Sequence, residues 1–70
     1  MPLNMVKPGD EVTLMAIHAG LGLQSRLHSM GLFPGVKMKV LKSGPGPVIV
    51  SVGDTRLALG CGMAHKIMVR

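Results

Sequence analysis

The fold is decided by a stretch near the middle of the chain, which reads Arg26-Leu27-His28-Ser29-Met30-Gly31-Leu32-Phe33-Pro34-Gly35. Leu23, Leu27 and Met30 recur at spacings of four and three, so they share one face of a helix. We predict a helix over Leu21–Gly31, because a glycine readily adopts the positive φ that ends a helix. The Pro-Gly pair after it predicts a turn into the next strand.

Short strands surround this helix, separated from one another by glycine and proline. The clearest pattern lies in Val36–Val40, where valine and methionine alternate with lysine. The Gly53-Asp54 pair between two apolar runs predicts a tight hairpin. The predicted strands are Glu11–Ile17, Val36–Val40, Val48–Val52, Thr55–Leu59 and Ile67–Val69, with a short helical turn after Gly60. This pattern is typical of a mainly β fold, a small SH3-like or OB-like barrel whose closure removes the exposed sheet edges.

The length of the chain predicts one small domain, which spans residues 1–70. Cys61 is the only cysteine, so a disulfide within the chain is excluded and a reducing cytoplasm is the expected location. We expect no signal peptide, and the sequence has no apolar run near the roughly 18 residues that span a bilayer. Because 47% of the residues are apolar, we expect part of this surface to contact another protein.

Groups for catalysis are scarce. The three acidic residues are Asp10, Glu11 and Asp54, and the adjacent pair points to opposite faces of a strand. Neither a nucleophile elbow nor a phosphate-binding loop is present. We therefore expect no enzymatic activity.

The net charge of +5 admits a nucleic acid, an anionic membrane surface or an acidic protein as partner. Phe33 is the only aromatic residue, so single-stranded bases would find no stacking platform and no nucleic-acid partner is expected. Purely electrostatic binding of phosphates through Lys37, Lys39 and Lys42 stays a hypothesis. The alternative is that these lysines form a solvated strand face.

A metal site is the remaining chemical candidate. Cys61 and His65 are four residues apart and would share one face of a helical turn. Sulfur and imidazole suit late transition metals such as Zn(II) or Fe(II). His28 and His18 are further candidate ligands. Two ligands do not complete a site, and a homo-oligomer would be one way to supply the others. The seven methionines fall at core spacings and are expected to fill gaps.

The order of these elements resembles that of the FeoA family. The resemblance runs from Pro8-Gly9 to Val69 and is most specific at Arg26-Leu27, Met30-Gly31-Leu32 and Pro34-Gly35. It implies an SH3-like barrel that acts in the cytoplasm as an accessory to the GTP-linked ferrous iron transporter FeoB. The same domain resembles the C-terminal module of iron- and manganese-dependent repressors.

Two functional hypotheses follow from this resemblance. The first is binding to FeoB through the helix and its following turn, with Leu21, Arg26, Met30, Leu32 and Phe33 as the expected contact residues. The second is a metal-responsive regulatory module that holds a transition metal through Cys61, His65 and His28 or His18.

Overall fold

The computed structural model describes all of residues 1–70. A 3₁₀ turn at Leu3–Met5 precedes the first strand, β1 (Glu11–Ile17), and the main helix, α1 (Leu21–Ser29), follows. The remaining elements are β2 (Lys37–Lys42), β3 (Val48–Val52), β4 (Thr55–Leu59), the short helix α2 (Cys61–Ala64) and β5 (Ile67–Val69). The predicted order of strands and helices is confirmed. Neither helix has the length and apolar character that a membrane-spanning helix requires.

The five strands form one antiparallel sheet in the order β4-β3-β2-β1-β5. The predicted β3–β4 hairpin is present, with Val52 opposite Thr55 on either side of the Gly53-Asp54 turn. β1 bonds to both of its neighbours: its Leu14 N–H donates to the Val36 carbonyl before β2, and its Thr13 N–H donates to the Arg70 carbonyl after β5. The first strand therefore joins the middle of the chain to its last residues.

The expected closure of the sheet is wrong, because β4 and β5 are its two edges and do not pair with each other. The N-terminal residues cover the β5 edge instead. Pro2 forms an antiparallel bridge to Met68, and the Met1 carbonyl accepts a hydrogen bond from the Val69 N–H at 2.8 Å. β4 pairs with β3 alone.

Two element boundaries also differ from the prediction. α1 ends at Ser29 rather than Gly31, because Met30 is already the capping residue. β2 starts at Lys37 and continues to Lys42, with a register shift between Val40 and Lys42. A bulge of this kind sets two residues of one strand opposite one residue of its neighbour.

The core is apolar throughout, since none of its 15 buried residues is polar or charged. Alternate residues of the strands face it, and the neighbouring Val40 and Val50 are fully buried. α1 contributes Leu27 as its one buried side chain. The other residues of the predicted apolar helix face lie further out: Leu23 is half-buried and Met30 is 37% exposed. Leu27 is therefore the one fully buried anchor of α1, and Leu23 packs beside it at the edge of the core.

Leu27→Ala is expected to lower the free energy of unfolding by about 2–5 kcal/mol, enough to abolish a cooperative transition in so small a domain. The reason is the cavity that alanine would leave between helix and sheet. Leu21→Ala on the same helix is the matched control: its side chain is 84% exposed. Its loss should change the stability by less than about 0.5 kcal/mol. Urea unfolding followed by circular dichroism measures both, and equal losses would contradict the assigned role of Leu27.

Candidate functional site

The side chain of Gln24 fixes the start of α1 against the end of β1. Its Nε2 donates to the Ala19 carbonyl at 2.8 Å and to the Ile17 carbonyl at 3.2 Å. Both acceptors belong to the chain that leads from β1 into the helix. The helix therefore has a defined orientation on the sheet although Gly20 provides no side-chain cap.

The end of α1 is a Schellman motif. The Leu32 N–H donates to the Leu27 carbonyl at 2.8 Å, and the Gly31 N–H donates to the His28 carbonyl at 2.9 Å. Gly31 has φ +90°, which a residue with a Cβ rarely adopts. The motif brings the residue after the glycine back onto the last turn of the helix, where an apolar side chain packs against the core.

This geometry corrects the prediction for Leu32. Its side chain is fully buried together with that of Leu27, so it is not available to a partner. The physical reason is the Schellman motif itself, in which the position after the glycine is the one that packs inward. The Gly31-Leu32 pair was the sequence signal for this burial.

The turn after the helix exposes Phe33. The Val36 N–H donates to the Phe33 carbonyl at 3.1 Å, and Gly35 has φ +99°. Proline at the second position and a positive-φ glycine at the third are the pattern of a type II turn. Phe33 begins this turn with its side chain 46% exposed, and the His28 ring meets it edge-on at 6.1 Å between centroids.

The exposed side chains of α1 and this turn fall into two ridges. Leu21 and His28 are seven residues apart and lie on the same side of the helix, so with Phe33 they form the first ridge. Arg26 and Met30 are four apart and form the second ridge. All five side chains are exposed.

A strip of small residues separates the two ridges. Gly22, Ser25 and Ser29 recur at spacings of three and four, and all three are exposed. The Ser29 hydroxyl donates to the Arg26 carbonyl at 2.7 Å, so this side chain is folded back onto its own helix. These small side chains leave the backbone of α1 less covered between the ridges; we call this strip the channel, and the two ridges with the channel the helix–turn surface.

Leu21, Arg26, Met30 and Phe33 were predicted as contact residues from the sequence. Their neighbour His28 and the small residues between them were not predicted to belong to this surface. The recurrence of glycine and serine at helical spacing was a signal for the channel. The contact between His28 and Phe33 had no such signal, because it depends on the direction that the type II turn gives the chain.

The predicted metal ligands are not brought together. No three side chains of His, Cys, Asp or Glu are close enough to hold a metal ion. His28 lies beside Phe33, and His18 lies at the end of β1, where its backbone N–H donates to the Lys66 carbonyl at 2.8 Å. The four candidate ligands do not form one cluster within the chain, because they belong to separate elements.

Cys61 and His65 do share one helical turn. The His65 N–H donates to the Cys61 carbonyl at 3.2 Å, and both side chains are exposed. Residues four apart in this geometry lie on the same side of the helix. Within one chain, this turn offers a thiol and an imidazole as two of the four ligands that a tetrahedral metal site needs.

Comparisons with known proteins agree on one family. The FeoA domain family matches residues 1–70. An Fe(2+) transport protein A of Methanocaldococcus jannaschii is 47% identical over 68 residues, which cover 97% of this chain and 83% of that protein. A crystal structure described as an iron uptake regulatory protein, FeoA, has a TM-score of 0.92 at 45% identity, over 100% of this chain and 95% of that one.

Solved structures also confirm the SH3-like fold. A zinc complex of Stenotrophomonas maltophilia FeoA, described as a prokaryotic SH3 domain protein, has a TM-score of 0.83 at 26% identity, over 100% of this chain and 89% of that one. A manganese-dependent transcriptional repressor, 23% identical, shares the fold with a TM-score of 0.85; the match covers 96% of this chain and 39% of the repressor. This last likeness concerns the fold alone.

Proposed function

The chain belongs to the FeoA domain family, whose members are ferrous iron transport accessory proteins, and from that premise we propose that it binds the cytoplasmic part of the iron transporter FeoB. The observation that carries the proposal is the helix–turn surface. Both of its ridges carry exposed apolar side chains beside a polar or basic one, a combination that suits contact with a protein partner. The proposed site of action is the cytoplasm, where Cys61 would stay reduced.

Leu21 is the strongest single argument for a protein contact. Its side chain is 84% exposed at the first position of α1, and the stability of the domain does not require it there. Complete burial of a leucine side chain contributes about 1.5–3 kcal/mol. Phe33 stands on the same ridge and offers the one aromatic side chain of the protein, a residue type enriched at the centres of interfaces.

The channel favours a helix as the docking element. Small residues at Gly22, Ser25 and Ser29 allow a second helix to approach the backbone of α1 closely, as ridge-into-groove packing requires. Arg26 lies at the rim and would meet an acidic side chain of the partner, which fixes the direction of the bound helix. We propose an amphipathic, acidic helix of the transporter as the bound segment.

An accessory protein that binds in this way can change transport only through unequal affinity for the states of the transporter. A partner that bound every state equally would shift none of them. The helix–turn surface is rigid, since Gln24 fixes one end and the Schellman motif the other. It would therefore select the transporter state whose helix matches the channel.

A metal-responsive role is the second candidate, favoured by the shared turn of Cys61 and His65. Two copies of the chain, joined at α2, would supply two thiolates and two imidazoles, which is a tetrahedral ligand set for Zn(II). The zinc complex of the Stenotrophomonas maltophilia relative supports testing zinc first. Fe(II) is the alternative metal, because its ligand preferences overlap at such sites.

Leu21→Asp is expected to raise the Kd for the purified cytoplasmic domain of FeoB by roughly 30-fold, the effect of losing one interface hot spot. Phe33→Ala should act in the same direction. Calorimetric titration measures the affinity, and circular dichroism verifies that each variant is folded.

Met5→Asp is the matched control for this experiment, since Met5 is 66% exposed but lies in the 3₁₀ turn rather than on α1. Its Kd should equal that of the unmodified chain. Equal weakening by Leu21→Asp and Met5→Asp would show that the helix–turn surface is not the contact. Absence of binding by the unmodified chain would refute the proposed partner.

Added Zn(II) is expected to convert the chain into a dimer with one metal ion per two chains, measured by light scattering together with metal analysis. Cys61→Ser should remove both the dimer and the metal, because only two imidazoles would remain. His28→Ala should change neither, since His28 lies beside Phe33 and away from α2. One metal per chain, or dimerisation that survives Cys61→Ser, would contradict the shared site.

A further inference from the structure

The solvent-facing side of the sheet carries a row of side chains that crosses four strands. Lys39 of β2 is opposite Glu11 of β1 and Ser51 of β3, and Ser51 is opposite Arg56 of β4. Directly opposite residues carry their side chains on the same face, and adjacent strands are about 4.8 Å apart. This row faces solvent because its neighbours in sequence, such as Val40 and Val50, face the core.

Further basic residues extend the row on both sides. Lys37 lies two residues from Lys39 on the same face and is opposite Thr13. Thr13 exchanges two backbone hydrogen bonds of 3.0 Å with Arg70, which sets Arg70 on the same face as well. On the other side, Lys42 is opposite Ile49 beyond the bulge of β2.

We call this set the basic sheet face: Lys37, Lys39, Lys42, Arg56 and Arg70. It holds five of the eight lysine and arginine residues of the protein, and all five are exposed. Within these rows the one carboxylate is that of Glu11. The positive charge of the chain is therefore concentrated on one side of the sheet.

The shape of the basic sheet face argues against a partner that needs a pocket. A hollow with a volume of about 330 Å³, lined by Glu11, Val12, Thr13 and Lys37, lies at the β1 end of the face. The area around Lys39 and Arg56 has none. The centres of protein interfaces are depleted in lysine, whereas this face has Lys39 at its centre. Nucleic-acid bases would need aromatic platforms, and the only aromatic residue, Phe33, lies in the turn after α1.

The residues beside the charges favour a lipid surface. Leu41 shares the bulge of β2 with Lys42 and is 37% exposed. An apolar side chain among flexible lysines can enter the headgroup region while the ammonium groups stay with the phosphates. An anionic membrane needs no pocket, since its charges are spread over a plane.

We propose that the basic sheet face binds anionic phospholipid headgroups and holds the protein flat against a membrane surface. Each lysine or arginine near such a surface contributes a roughly fivefold factor to the partition coefficient at low ionic strength. The interaction is weak for one protein molecule and is steeply weakened by salt. It uses a different surface from the contact proposed for FeoB and can be measured without the transporter.

Co-sedimentation with vesicles tests this proposal on the intact protein. Vesicles of phosphatidylcholine with about 30% phosphatidylglycerol should bind the protein at about 50 mM salt and release it at about 500 mM, whereas pure phosphatidylcholine should not bind it. Lys39→Glu should lower the partition coefficient by roughly 30-fold, because it removes two charge units from the centre of the face.

Lys66→Glu is the matched control, because it changes the net charge equally from a position next to His18 at the other end of β1. It should lower the partition coefficient less than about threefold, through the net charge alone. Equal losses for the two variants would overturn the basic sheet face as the binding surface. Binding to duplex DNA or to polyglutamate without binding to anionic vesicles would overturn the lipid as its ligand.

Discussion

The hydrogen bond from the Leu32 N–H to the Leu27 carbonyl, with both leucine side chains buried beneath it, is the constraint on which the rest of the structure depends. It ends α1, and the positive φ of Gly31 makes the reversal possible. Because Leu32 is held in the core, the next residue leaves the core, and Phe33 is thereby exposed at the end of the helix. The Schellman motif thus determines both how the end of the helix is attached to the core and which side chains are exposed beside it.

The parts of the fold that local chemistry determines were predictable from the sequence. The β3–β4 hairpin follows from the Gly53-Asp54 pair between two apolar runs, and the structure contains it. Edges of the sheet were not predictable in this way. The pairing of Pro2 with Met68 joins the two ends of the chain, and the residue pattern of neither segment predicts this pairing. Closure of the sheet was expected on general grounds, whereas in this structure the N-terminal residues protect β5.

The candidate site likewise contains residues whose placement the sequence predicted and residues whose placement it did not. Leu21, Arg26, Met30 and Phe33 are exposed. Leu21 and Arg26 lie off the buried side of a short amphipathic helix, whereas Met30 and Phe33 follow its last residue. Leu32 failed as a surface residue because an apolar residue after a helix-ending glycine folds inward, a rule that hydrophobic periodicity alone does not contain. The candidate metal ligands are not brought together within one chain, for another reason. Sequence spacing places residues correctly within a turn, as for Cys61 and His65, but not residues from different elements, such as His18 and His28.

A domain of 70 residues whose buried side chains are all apolar has little polar chemistry of its own, so its function depends on its surfaces. The helix–turn surface and the basic sheet face differ in physical character. Burial of Leu21 and Phe33 would persist at high salt, whereas attraction by Lys37 and Lys39 would fade within a Debye length of about 8 Å at physiological salt. Short-range apolar contacts give binding specificity, and longer-range electrostatic attraction raises the local concentration of the protein near its partner. A small protein that meets a membrane-embedded partner gains from having both, because confinement to the lipid surface raises its effective concentration without tightening the specific contact.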